Sequence, residues 1–223
     1  MCGRFAQAYT IQEFIRRFGV GVLDGVGARY NIAPTQEVLV LMHNTNTASG
    51  LAPQILRWGL VPHWAKDPSI GNRMINARGE SAAEKPSFRT SFKSRRCIVP
   101  ASGFFEWKKA VGTKQPYYIY LADGTPMAMA GLWAQWRDPD SGNALCTFTI
   151  LTLAANNDLQ DIHDRMPLIL RPEEERAWVD PDTPLEEVHA LVTPPEAGLL
   201  SRHTVATVVN SPANDQPACI EAI

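Results

Sequence analysis

Short runs rich in β-branched and aromatic residues recur along the chain, separated by Gly, Pro, Asp and Asn. They cover Glu37–His43 and residues 54–58, 117–121, 127–133, 145–152 and 203–209. Such runs are typical of strands. Few long helical patterns lie between them, so a doubly wound parallel sheet is not expected. The sequence therefore predicts an α+β fold in which a mixed or antiparallel sheet curls around one core.

Helical patterns fill some of the remaining segments. Residues 10–18 combine a capping box with an apolar face and a terminating glycine. Weaker patterns cover residues 76–83 and 86–94. Pro172, followed by three glutamates, opens a clearer helix, and residues 183–186 form a second capping box. The glycine-rich segment 19–27 does not match GxGxxG and follows a helix, which predicts a loop and not a dinucleotide site.

Hydropathy and cysteine spacing bound the compartment. No apolar run approaches the length of a membrane span, and no secretory signal precedes the first motif. The four cysteines lie far apart without a CxxC pair, so neither a zinc site nor a disulfide framework is expected. No cofactor is expected either. With no internal repeat or linker, we expect one domain over residues 1–223, monomeric and in a reducing cytoplasm.

Charge is divided unevenly along the chain, although the net charge is only −2. Residues 1–120 carry 16 Lys and Arg against 7 Asp and Glu, and residues 121–223 carry 5 against 16. A basic half of this kind favours a nucleic-acid partner. The alternative is that the two halves attract each other within the fold.

Cys2 follows the initiator methionine, and removal of Met1 would leave an amine and a thiol on one residue. The amine could condense with an aldehyde to a Schiff base, and the thiol could then close a five-membered thiazolidine ring. Both groups titrate close enough to neutrality to be partly nucleophilic. The alternative is an ordinary small hydrophobic residue near a frayed end.

Three further motifs place polar groups beside apolar anchors or turns. Asn76 lies in NARGE, as a turn residue or an amide donor. Glu106 lies in GFFEW, where apolar neighbours would raise the pKa of its carboxyl for acid–base chemistry. The alternative is a surface glutamate on an alternating strand. His163 lies in HDRMP, as a solvated turn residue or a catalytic imidazole.

These motifs, in the order CGRF, NARGE, GFFEW and HDRMP, resemble those of the SOS-response-associated peptidase (SRAP) family. The resemblance extends from CGRF to Val209-Asn210, and its mild departure is Phe105, where Tyr or Trp is also common. It implies a compact α+β domain with a β-rich core and a basic groove. It also implies crosslinking to abasic sites in single-stranded DNA, and loss of Met1 with help from the protein's own active site.

The resemblance assigns the catalytic roles to Cys2, Asn76, Glu106 and His163, and favours Arg4 and Arg78 as DNA contacts. The segments RYNIAP and WGLVPHW add Arg29, Pro34 and Trp64 as candidate DNA contacts. Trp64 would stack on a base or wedge at a junction with duplex DNA; the alternative is a core tryptophan. The expected partner is single-stranded DNA with an abasic site, and the protein would associate with the nucleoid when bound to DNA.

Two other functions fit the same residues. Cys2, His163 and Asn76 form a set that a hydrolase could use, which predicts turnover of peptides in trans. A non-covalent module for modified DNA would survive the loss of Cys2. A tag fused ahead of Met1 separates these alternatives, because it abolishes crosslinking through the amine and leaves plain DNA binding mostly intact.

Overall fold

The computed structural model describes residues 2–21, 23, 25–110 and 113–223. Within those ranges, strands are the dominant elements. The strands are β1 (Phe5–Gln7), β2 (Arg29–Ile32), β3 (Glu37–His43), β4 (Leu51–Trp58), β5 (Asn76–Arg78), β6 (Arg96–Ala101), β7 (Gly103–Ala110), β8 (Thr113–Leu121), β9 (Met127–Arg137), β10 (Ala144–Ala154), β11 (Arg165–Pro167), β12 (Ile169–Leu170) and β13 (Leu200–Thr204). The helices are α1 (Ile11–Phe18), α2 (Gly79–Ala82), α3 (Arg89–Ser94), α4 (Pro172–Val179) and α5 (Leu185–Ala190).

Five strands pair in a closed ring, in the order β10, β4, β3, β6 and β9, because β9 also pairs with β10. The β4–β10 pairing is parallel and the other four are antiparallel. Ring closure leaves these strands without free edges along the paired stretches. Three short strands, β5, β11 and β12, extend the sheet from β10 and β9.

A second, five-stranded sheet has the order β13–β8–β7–β1–β2. The β7–β8 hairpin is its longest pairing, and the three-residue β1 lies between β7 and β2. This arrangement holds the N-terminal segment inside a sheet, so the first motif of the sequence is part of the folded core.

Both faces of β3 are buried over residues 38–41. Val38 and Val40 of β3 pack into an apolar cluster with Cys2, and Leu39 and Leu41 pack into another cluster with α1 and α4. The first, called here the Cys2 cluster, includes Phe5, Trp58, Phe104, Phe148 and Met166. It fills the space where the second sheet meets the ring. None of the helices in the described ranges is long and apolar enough to cross a lipid bilayer.

The predicted α+β class with a curled, mixed sheet is confirmed. The prediction for β3 matches its bounds, and α1 carries the predicted Thr10–Glu13 capping box. The last predicted strand is largely wrong, because β13 ends at Thr204 and residues 207–210 form a 3₁₀ turn. The helix predicted for residues 76–83 is also wrong at its start, because Asn76–Arg78 pair with β10 and only Gly79–Ala82 are helical.

Two smaller predictions also changed. The second capping box is absent, because α5 begins after Pro184 and has no side-chain hydrogen bond at its cap. The loop predicted for residues 19–27 includes residues 22 and 24, which lie outside the described residues. Gly19 ends α1 in the left-handed conformation, as predicted.

Candidate active site

Cys2 is fully buried at the base of β1. Phe5 of β1 lies opposite Phe104 of β7 and packs edge-on against Trp58, with 5.0 Å between ring centroids. The Phe105 amide donates to the Arg4 carbonyl at 2.9 Å, which continues the pairing toward Cys2. Two buried aromatic anchors therefore fix the position of Cys2, and the frayed-end alternative is wrong for this residue. Met1 lies outside the described residues.

The Cys2 thiol lies in an environment that favours its neutral form. Burial raises its pKa well above the usual range, and the negative charge of Glu106 acts in the same direction. The thiol also points a weak hydrogen bond toward the Arg4 carbonyl, at 3.9 Å. In this state Cys2 is not an activated thiolate.

Asn76 contacts Cys2 through its backbone. The Asn76 amide Nδ2 donates to the Cys2 carbonyl oxygen at 2.8 Å. The Asn76 position follows from the parallel pairing of β5 with β10, which sets Asn76 beside Ile150. The other amide atom, Oδ1, is buried and has no hydrogen-bond partner among the described residues. A buried acceptor of this kind is ready to receive an N–H or O–H group from a ligand or from a freed amine.

Glu106 lies on the face of β7 that points into the Cys2 cluster. Side chains alternate along a strand, so Phe104 and Glu106 share this face while Phe105 packs on the other side with Tyr118. The first residue of β7, Gly103, has to be a glycine, because a Cβ there would lie 2.5 Å from the Ile119 carbonyl oxygen. Only 4% of Glu106 is exposed, so the alternative of a surface glutamate is wrong.

The Glu106 carboxyl has a pKa above its usual range. Burial is the largest cause, and positive charge on His163 acts in the opposite direction. A carboxyl in this setting can hold or release a proton closer to neutrality than a solvated one. Glu106 therefore lies within electrostatic range of both Cys2 and His163.

His163 follows a turn that ends at β11. Its backbone N–H donates to the Leu159 carbonyl at 2.9 Å, and the Ala155 amide donates to the Asp164 carbonyl at 2.9 Å, which closes the turn. The ring atom Nδ1 lies 3.0 Å from the Arg165 amide and 2.9 Å from Asp164 Oδ1. The Arg165 contact needs an Nδ1 that accepts a hydrogen bond, and the Asp164 contact needs an Nδ1 that carries a proton. Nδ1 therefore has one partner for each role.

The residues predicted to contact DNA fall into two groups. Arg78 is exposed, and no hydrogen bond or ion pair of its side chain exists among the described residues. Trp64 is 50% exposed, so the core alternative is wrong; it lines an open depression of about 660 Å³ with Lys66, Arg73 and others. These two side chains are available to an external ligand.

Arg4 and Arg29 are engaged within the fold. Arg4 donates to Asn31 Oδ1 at 2.6 Å and to the carbonyls of Val209 and Asn210, which ties β1 to the C-terminal segment. Arg29 pairs with Asp215 at 2.5 Å. Pro34 lies in the turn before β3, next to Thr35, whose φ of 73° is unusual for a β-branched residue.

Some of the unevenly distributed charges of the sequence are paired with each other within the fold. Arg17 pairs with Glu175, Arg29 with Asp215, and Lys108 with Asp161, each joining the basic half to the acidic half. Arg96 is buried and donates to backbone carbonyls, including those of Trp178 and Phe92. Arg96, although it belongs to the basic half of the sequence, is therefore not available to DNA.

Two ion pairs at the site were not predicted. Arg165 of HDRMP binds Glu80 of NARGE through two nitrogens, at 2.6 and 2.8 Å. Lys108, two residues after Glu106, binds Asp161, two residues before His163. The signal in the sequence was the presence of charged residues within or just beside the motifs. Across the described ranges, no group of three or more His, Cys, Asp and Glu side chains converges as a metal site would require.

Fold and site together define a class of α+β proteins in which a cysteine near the N-terminus lies buried beside an amide and a carboxyl, with an imidazole within electrostatic range of that carboxyl. The model of the SOS response associated peptidase (SRAP) family matches residues 1–212. The chain belongs to this family.

Similar proteins span bacteria and vertebrates. The chain is 42% identical over 228 residues to abasic site processing protein YoqW of Bacillus subtilis (strain 168), with 100% of both covered. It is 34% identical over 231 residues to abasic site processing protein YedK of Escherichia coli (strain K12), with 100% of both covered. To abasic site processing protein HMCES of Xenopus tropicalis it is 36% identical over 191 residues, covering 75% of this chain and 56% of that one.

A solved structure shows the same fold. The crystal structure of a protein from Bacteroides thetaiotaomicron matches with a TM-score of 0.88 at 28% identity and covers 100% of both chains. The match extends over the ring, the second sheet and the C-terminal segment.

Proposed function

We propose that this protein captures abasic sites in single-stranded DNA by forming a covalent thiazolidine through Cys2. The observation that carries the proposal is the hydrogen bond from Asn76 to the Cys2 carbonyl, beside a buried Glu106. A cysteine that only filled the core would not need a buried amide to hold its backbone. The names of the relatives, abasic site processing proteins, support the same substrate class.

The first step is opening of the sugar. An abasic deoxyribose is mostly a closed hemiacetal, and only the open aldehyde reacts. Glu106, with its raised pKa, gives a proton to the ring oxygen and accepts one from the hydroxyl. General acid–base catalysis of this kind contributes about 10²- to 10⁴-fold.

The second step joins protein and DNA. The Cys2 amine attacks the aldehyde carbon, and loss of one water gives a Schiff base. The thiol then adds across the C=N bond, its sulfur to carbon and its proton to nitrogen, which closes the ring. The net change is the loss of one water. Closure removes the iminium that would otherwise undergo β-elimination and cut the strand.

Asn76 and His163 serve these steps by position. The Asn76 amide holds the Cys2 backbone, and its buried Oδ1 accepts a hydrogen bond from the freed amine. His163 holds the opened sugar hydroxyl or shares proton transfer with Glu106. Orientation matters because two nucleophiles must reach one carbon in sequence.

The chemistry requires a free α-amine on Cys2, so Met1 must leave first. The site itself is the proposed agent of that removal. Once free, the amine places a positive charge beside the thiol, which lowers the thiol pKa from the raised value of the buried residue. Peptide cleavage in trans is the alternative function, and it predicts turnover of an external peptide by the same protein.

Exposed Arg78 and Trp64 supply the proposed DNA surface. Arg78 would neutralise a phosphate next to the lesion, and Trp64 would stack on a base or wedge at a junction. Arg4, Arg29 and Pro34 shape the neighbouring β1–β2 region, and Arg4 keeps further N–H donors for a phosphate. Single strands are preferred, because a flipped sugar then needs no base pair to be broken.

A denaturing gel with blocked and free N-termini tests the proposal. Untagged protein should give a heat-stable shifted band with a single-stranded oligonucleotide that carries one abasic site. Protein with a tag ahead of Met1 should bind the oligonucleotide but give no such band. An equal band from both proteins would show that the Cys2 amine is not used. Cys2→Ser should retain the imine and show more strand cleavage; a stable, borohydride-independent crosslink from it would exclude the thiazolidine step.

A further inference from the structure

Asp161 forms ion pairs with two basic side chains, which lie on different strands of the second sheet. Lys108 Nζ of β7 lies 2.7 Å from Asp161 Oδ2. Arg202 of β13 binds through Nη1 at 2.5 Å to Oδ1 and through Nη2 at 3.2 Å to Oδ2. Hydrogen bonds from both cations lower the pKa of Asp161 to about 2, so its charge persists through the neutral range. We call Lys108, Asp161 and Arg202 the Asp161 triad.

The triad connects the two halves of the proposed acid–base pair. Lys108 lies two residues after Glu106, on the same face of β7, because side chains alternate along a strand. Asp161 lies two residues before His163, in the turn that carries the imidazole. The Lys108–Asp161 ion pair therefore spans from the Glu106 strand to the His163 turn.

A second set of bonds holds the same turn on β13. Arg202 Nη1 donates to the Asp158 carbonyl at 2.8 Å, and the Asp158 carboxylate accepts the Gly198 amide at 2.8 Å. The Leu200 amide adds a longer bond to Asp158 at 3.3 Å. The turn is thus attached to β7 through Lys108 and to β13 through Arg202. These two strands flank β8 in the second sheet.

We propose that the Asp161 triad is a positioning device that sets the distance between His163 and Glu106 during capture of the lesion. This inference rests on the proposed function. The side chains of Lys108, Asp161 and Arg202 are 41%, 45% and 34% exposed, so solvent screens their charges and the triad contributes little to stability. Its effect falls on geometry, where small displacements of catalytic groups slow a reaction strongly.

The test is single-turnover crosslinking with the abasic oligonucleotide in saturating excess. Asp161→Asn keeps the shape of the side chain and removes its charge. It should lower the maximal crosslinking rate about tenfold. Its affinity for an oligonucleotide with a stable, ring-closed abasic analogue should stay within about twofold of wild type. Its denaturation midpoint should equal that of wild type, because the triad contributes little to stability. Asp161→Glu restores the carboxylate and should recover most of the rate.

Two further variants complete the experiment. Lys108→Met should also slow crosslinking. Adding Asp161→Asn to this variant should lower the crosslinking rate by a smaller factor than it does in wild type, because both substitutions remove the same Lys108–Asp161 ion pair. The control is Glu174→Gln on α4, which removes the carboxylate that pairs with Arg171 and should leave the crosslinking rate unchanged.

A maximal rate for Asp161→Asn within about twofold of wild type would overturn the inference. So would an equally slow Asp161→Glu variant, or a loss of rate that follows the loss of folded protein. Failure of the wild type to crosslink at all would instead refute the proposed function, so the two failures are distinguishable.

Discussion

The hydrogen bond from Asn76 to Cys2 leads to a prediction of defined size. Asn76→Ala removes the Nδ2 donor, which lies 2.8 Å from the carbonyl oxygen of a fully buried residue. An acceptor left unsatisfied in such a place costs about 1–3 kcal/mol. If this cost appears in the positioning of Cys2, crosslinking slows by about 5- to 150-fold. Asn76→Asp preserves the size of the side chain and loses the donor, so it should be at least as slow.

The assay follows crosslinking over time on denaturing gels, in single turnover, with urea denaturation of the same preparations. Asn143→Ala is the matched control, since Asn143 is exposed in the β9–β10 hairpin and its side chain has no hydrogen bond among the described residues. It should react at the wild-type rate. Folded Asn76→Ala and Asn76→Asp proteins that also react at the wild-type rate would refute the reasoning.

Three other predictions concern charge, stacking and close packing. The native state holds the proton of Glu106 more tightly than the unfolded chain does, so wild-type stability falls as pH rises from the ordinary carboxyl pKa through the raised one. In urea denaturation, the stability of Glu106→Gln relative to wild type should therefore increase as pH rises above about 4. A constant difference would contradict this. Trp64→Ala should weaken single-strand binding by about 1–3 kcal/mol in fluorescence anisotropy, with an unchanged denaturation midpoint. Gly59→Ala should destabilise the fold clearly in thermal denaturation, because its φ is 121° and a Cβ would lie 2.5 Å from the Gly71 carbonyl oxygen; a midpoint equal to wild type would show that this contact relaxes freely.

Some strands with clear local patterns were predictable from the sequence, although β6 and the eight-residue β7 were not among the predicted runs. The run from Glu37 to His43 matches β3 at both ends, and the Thr10 cap fixes the start of α1. Short strands were not, since β1, β5 and β11 have only three residues each, and β1 and β5 exist through pairing with distant segments. Asn76 shows the consequence: its local pattern favours a helix, and parallel pairing with β10 makes it a strand.

The candidate site was predictable as a set of residues but not as a geometry. The motifs and the family resemblance pointed to Cys2, Asn76, Glu106 and His163, whose roles stay predictions. The sequence did not indicate that Asn76 binds the Cys2 carbonyl, because 74 residues separate the two. It also could not show that Asp161 pairs with Lys108, or that Arg29 pairs with Asp215, since ion pairs between residues far apart in the sequence depend on the completed fold.

The most direct measurement is the intact mass of the adduct between untagged protein and an abasic oligonucleotide, followed by peptide mapping. Covalent capture through Cys2 predicts the summed masses minus one Met residue and one water, with the modification on Cys2 and without any borohydride treatment. It also predicts no adduct from Cys2→Ala. An adduct on a lysine, or no adduct from protein whose N-terminal residue is shown to be Cys2, would contradict covalent capture through this residue.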